Sequence, residues 1–99
     1  MEEPTDCERV KELFRKYRSL LSTDAVQSVK HFLDHDEWEI AFEGLCLELM
    51  DADLLTLSGV VECMEVAEML GLHEESVLRG NFWELLEEHR ELLELLGRE

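Results

Sequence analysis

The sequence predicts an all-α protein, a small antiparallel bundle of four to five helices forming one domain over residues 1–99. Three observations carry this. Apolar residues recur at helical spacing along most of the chain, and capping side chains or glycines stand where the apolar stripes end. No segment alternates with the period of two that a half-buried strand needs. With 45% apolar residues in 99, the chain can build one core and has no room for a second.

The elements follow in order. Val10, Leu13, Phe14, Tyr17, Leu20 and Leu21 form the first stripe behind a Thr5/Glu8 capping box, so helix one is expected from about residue 6 to 21. Ser22 or Thr23 caps a short second helix, with Asp24 in its first turn, carrying Ala25, Val26, Val29, Phe32 and Leu33 and ending near His35. Asp36 with Glu39 is a capping pair ahead of Trp38, Ala41, Phe42, Leu45, Cys46 and Leu49. Ile40 and Leu47 lie off that stripe, which makes helix three the one expected to be most buried, with Trp38 in the core. Beyond the Asp51-Ala52-Asp53 break, Ser58 is the expected cap of helix four, whose inner face is Val60, Val61, Met64, Ala67 and Leu70 and whose end is Gly71. Asn81 with Glu84 opens helix five, which is expected to bury Phe82, Leu85, Leu86, Leu92, Leu93 and Leu96 and to stop at Gly97.

Charge narrows the function. Twenty-five acids against nine Lys and Arg give a net charge of −16. Residues 1–30 hold six of each sign, whereas His31 to Leu78 holds thirteen acids and no Lys or Arg. Such a field repels phosphate backbones and anionic membranes, so direct binding to nucleic acid or lipid is not expected and a basic protein is. Like charges at Glu62/Glu65, Glu65/Glu68, Glu84/Glu88, Glu87/Glu91 and Glu39/Glu43 each cost about 0.2–0.5 kcal/mol. Stability alone would scatter lysines among them.

Chemistry is sparse. Neither a nucleophile elbow nor a phosphate-cradling glycine loop is present, and the abundant carboxylates lie opposite apolar stripes where water would hold them ordinary, so no enzyme activity is expected. His31 and His35 share a helical face that could bridge a metal, yet they lack a third ligand and suit the helix C-terminus; no metal or cofactor is expected. Cys7, Cys46 and Cys63 form no CxxC pair, and the opening residues carry no apolar signal core. A soluble cytoplasmic protein with reduced thiols is the expectation.

The segment His31 to Leu49 resembles the MafI-type immunity proteins of bacterial polymorphic toxin and contact-dependent inhibition systems. The resemblance lies in Leu33-Asp-His-Asp-Glu-Trp38, Ala41-Phe-Glu-Gly-Leu-Cys46 and Met69-Leu-Gly-Leu72, and covers about residues 10–90. Leu47 departs from it, standing where a polar residue belongs. The resemblance implies an inhibitor that neutralises one cognate toxin domain, often a nuclease such as an EndoU-like ribonuclease with a basic cleft. On this reading the toxin-binding residues are Asp34, Asp36, Glu37, Glu39, Glu43, Asp51, Asp53, Glu62 and Glu65. The alternative is an acidic helical adaptor docking through an exposed Leu54, Leu55 and Leu57; Leu47, Leu54 and Leu55 would also support a homodimer.

Overall fold

A computed structural model describes residues 5–78 and 80–97. It contains α1 (Asp6–Tyr17), α2 (Thr23–Asp34), α3 (Trp38–Asp51), α4 (Leu57–Met69) and α5 (Phe82–Leu95), with a 3₁₀ turn at Arg18–Leu20. No strand occurs among the described residues, so the all-α class stands.

Local signals set most helix starts. Thr5 Oγ1 accepts the Glu8 N–H and Glu8 Oε2 accepts the Thr5 N–H, both at 3.2 Å, which completes the capping box of α1. Ser22 caps α2 by accepting the Ala25 N–H at 3.2 Å. At α4 the cap is Thr56 rather than Ser58: its hydroxyl takes the Gly59 N–H at 3.1 Å, and Ser58 lies inside the first turn. Helix one also stops earlier than its stripe suggests, since the chain tightens to 3₁₀ at Arg18 and leaves Leu20 58% exposed.

Helix ends correct the reading of two acids. After α2, Glu37 N–H bonds Phe32 C=O at 2.9 Å and Asp36 N–H bonds Leu33 C=O at 3.2 Å. This is a Schellman ending, and it places Asp36 in the left-handed region at φ 58°. The same pattern closes α3, where Leu54 N–H bonds Leu49 C=O at 3.0 Å and Asp53 has φ 54°. Asp36 is thus the residue that terminates α2, and the N-cap of α3 is Glu37, which makes no side-chain cap bond. Asp and Asn tolerate this backbone because a short polar side chain offsets some of the strain. Gly71, at φ 77°, ends α4 in the same way, as its place in the sequence predicts.

A single core joins all five helices. α2 packs mainly on α3, α4 on α5, and α1 crosses both α3 and α4. Phe42, Leu45, Leu49, Val60, Phe82, Leu86 and Leu93 are fully enclosed. Gly59 makes the α1–α4 crossing close: a Cβ there would lie 2.8 Å from the Tyr17 hydroxyl. Four placements differ from the sequence reading. Leu55 is buried and Leu54 and Leu57 pack against the core, so the exposed leucine element of the adaptor reading does not exist. Val61 turns outward on α4, Leu92 is half-exposed on α5, and Leu96 is exposed at the cap that follows α5. Trp38, expected in the core, is half-buried at its edge.

Candidate functional site

The nine acids singled out in the sequence fall into distinct environments. Asp34 is held by Lys30 at 3.1 Å and Glu62 by Lys16 at 3.6 Å, so two of them already face a cation of their own chain. Both pairs are exposed and contribute little to stability. Asp36 and Asp53 serve the helix endings described above. Glu37, Glu39, Asp51 and Glu65 are exposed on α3, its N-terminal approach and α4.

Glu43 is the main correction. It was expected on the acidic exterior of helix three, and its side chain is fully buried. Its carboxylate accepts the Val77 N–H at 3.0 Å and the Leu78 N–H at 2.8 Å. A carboxylate can afford this position because charge-assisted bonds replace the water it loses. Glu43 therefore anchors the α4–α5 connection onto α3 and is unavailable to a partner. One signal pointed this way: α3 is apolar on nearly every side, which leaves little room for a solvated face.

The exposed side of α3 lies along three adjoining clefts. The first, about 250 Å³, is bounded by Asp36 to Ile40 and Val77. The next, about 330 Å³, lies between α2 and α3 and shares Ile40 with the first. The last, about 280 Å³, lies between α3 and α5 and shares Leu47 and Asp51 with the second. Together they make a band that follows α3 from end to end. It mixes apolar side chains, among them Ile40, Leu47, Leu85 and Leu92, with the acids Glu37, Glu39, Glu48, Asp51 and Glu88. No described Lys or Arg lines any of the three. Sequence reasoning missed Glu48 and Glu88 as neighbours, since one lies on α3 and the other on α5.

Gly44 sits in the middle of this band. A Cβ at that position would meet only Leu78 Cδ1, at an ordinary 3.7 Å, so internal packing leaves room for alanine. Glycine inside a helix is less stable than alanine by about 0.5–1 kcal/mol, and nothing inside the fold requires it here. At the α5 end of the band, His89 Nε2 is buried with no hydrogen-bond partner among the described residues.

The remaining reactive groups have structural surroundings. His35 Nδ1 lies 2.7 Å from the His31 carbonyl oxygen and the two rings are 4.4 Å apart, which ties the pair to the end of α2. Among the described residues no three His, Cys, Asp or Glu side chains gather as a metal site needs. Burial pushes the Cys46 thiol well up, assisted by its hydrogen bond to Cys63 and by the nearby charges of Cys63 and Glu43. Burial also raises Tyr17, partly countered by the Lys16 ammonium. Both groups keep their protons to higher pH in the folded protein than in the unfolded chain, which releases them near pH 9.0 and 10.0. The stability they contribute is present below those values and is lost as pH rises beyond them, at up to about 1.4 kcal/mol per pH unit for the enclosed thiol. Urea midpoints measured from pH 7 to 11 should fall above about pH 9, and Cys46→Ala should flatten the first part of that decline.

No helix among the described residues is long and apolar enough to cross a membrane. Compared with known proteins, the chain matches no family model, no curated protein and no solved structure.

Proposed function

We propose that this chain is a cytoplasmic immunity protein that binds a basic toxin domain, a nuclease such as an EndoU-like ribonuclease, and blocks its substrate cleft without catalysis of its own. The observation that carries the reading is the stretch from His31 to Leu78, with thirteen acids and no Lys or Arg. The exposed members of that stretch face solvent along α3 and α4, while exposed Arg15, Lys16 and Arg18 gather at the end of α1. The surplus of carboxylates over that stretch attracts a basic partner before contact. Carboxylates on the inhibitor then stand where RNA phosphates would bind, or cover the approach to them. The resemblance to MafI-type immunity proteins supports the same role.

The test looks for a toxin domain encoded directly upstream of this chain's gene and pairs the two; a gene with no such neighbour and no basic nuclease that co-purifies with its product would favour the adaptor reading. Co-expression should restore growth, and purified protein should suppress the toxin's cleavage of RNA or DNA at roughly equimolar ratio, with association slowing steeply as salt rises over the range that screens charge beyond about 8 Å. Unprotected growth with both proteins present, or hydrolysis of RNA, DNA or peptide by this chain alone, would overturn the proposal.

A further inference from the structure

α3 is the kind of helix a bundle usually hides, yet one face of it is only half-buried, with Leu78 of the α4–α5 connection lying against it beside Gly44. Ile40, Gly44 and Leu47 recur there at three- and four-residue intervals, so they fall on a single face. That face continues into the cleft completed by Met50, Leu85 and Leu92, the last of them 50% exposed. Half-exposed apolar side chains rimmed by carboxylates form a surface that a partner of matching chemistry can cover.

Charge decides what covers it. The carboxylates of Glu37, Glu39, Glu48, Asp51 and Glu88 edge the band, and no described cation interrupts them. A second copy of this chain would bring the same acids against these, in a protein already at −16. Nucleic acid and anionic lipid carry the same sign. A polypeptide with apolar side chains on one face and Lys or Arg beside them matches both the floor and the rim. α3 has 14 residues and so a length of about 21 Å, which a partner helix of about four turns would span.

We propose that the open face of α3, centred on Gly44 and Leu47, is a groove for a basic amphipathic helix of the partner, whose apolar side chains seat on Ile40, Leu47 and Leu92. Glycine at 44 adds no side chain to the floor, where Leu78 is the neighbour that the helix would pack beside. Lys and Arg side chains at its edges meet Glu48, Asp51 and Glu88. This rests on the reading of the chain as a binder of a basic domain and names the contact through which it binds.

The probes are two synthetic peptides of equal positive charge: an 18-residue Lys/Leu amphipathic helix and an oligolysine. Titration into the isotopically labelled protein should move the amide resonances of residues 40–51 and 85–92, and the amphipathic peptide should bind at least tenfold tighter than the oligolysine. Gly44→Gln places a side chain on the groove floor and should weaken the amphipathic peptide at least fivefold, as should Glu48→Lys with Glu88→Lys. The control, Glu68→Lys with Glu74→Lys at the far end of α4 and in the turn after it, changes net charge equally and should weaken it less than twofold; circular dichroism verifies each fold. Equal affinity for the two peptides, resonance shifts centred on α4, or dimerisation of the free protein through this face would each overturn the groove. The same variants in the growth-rescue assay separate the two proposals. Protection retained by Gly44→Gln and by the Glu48/Glu88 pair would sink the groove and leave the immunity reading standing, while absence of protection by the unaltered protein would sink that reading whatever the peptides do.

Discussion

Glu43→Lys should prevent folding, and Glu43→Ala should lower stability by about 3–5 kcal/mol. The side chain is fully buried, and its two oxygens take the amide protons of Val77 and Leu78 at 3.0 and 2.8 Å. Alanine removes both acceptors, so two backbone donors lose partners and a hole opens beneath the α4–α5 connection. Lysine does worse, setting an ammonium against those same N–H groups in an enclosed site. A domain of this size has about 5–15 kcal/mol in total, which makes the first change severe and the second decisive. Glu43→Gln keeps the shape and one acceptor oxygen, and should lose only about 1–2 kcal/mol. Urea denaturation gives the stabilities, and amide exchange at Val77 and Leu78 should accelerate in step with them. A Glu43→Ala protein within 0.5 kcal/mol of the parent, by the usual margin for surface changes, would mean that the carboxylate does not hold the connection.

Phe82→Ala should be nearly as damaging, at about 3–5 kcal/mol. Phe82 opens α5, and its ring meets Phe42 of α3 edge-on, with centroids 6.1 Å apart and planes at 89°. Both rings are fully enclosed, so truncation leaves a cavity that the neighbouring helices cannot close without moving. The aromatic contact itself adds about 0.5–1.5 kcal/mol beyond the buried area. Phe42→Ala with Phe82→Ala should therefore lose less than the sum of the single changes, because each removes that shared contact. Leu92→Ala on the same helix is the comparison: half-exposed, it should change stability by no more than about 0.5 kcal/mol. A loss from Leu92→Ala as large as that from Phe82→Ala would contradict the packing of α5 described above.

Helix number, helix class and most boundaries were legible in the residues, because the forces that set them act within about four positions. The Thr5/Glu8 box, the Ser22 cap and the glycine at 71 each satisfy backbone groups of their own turn, and a reader of the sequence sees all the partners at once. The exposure of Glu37, Glu39, Asp51 and Glu65 was legible for the same reason, as they oppose apolar stripes. Burial of Glu43 was not. Its partners lie 34 and 35 residues away, in a connection without helical period, and only the folding of that connection over α3 removes the carboxylate from water. Asp36, read as a cap of helix three, ends α2 instead, and Asp53 ends α3, each in a left-handed conformation that aspartate tolerates but does not signal as glycine does. The open face of α3 likewise belongs to no one segment: Leu47 gains Leu92 and Glu88 as neighbours only once α5 is laid beside α3. Periodicity told which residues seek cover, and the arrangement of five helices decided which of them receive it.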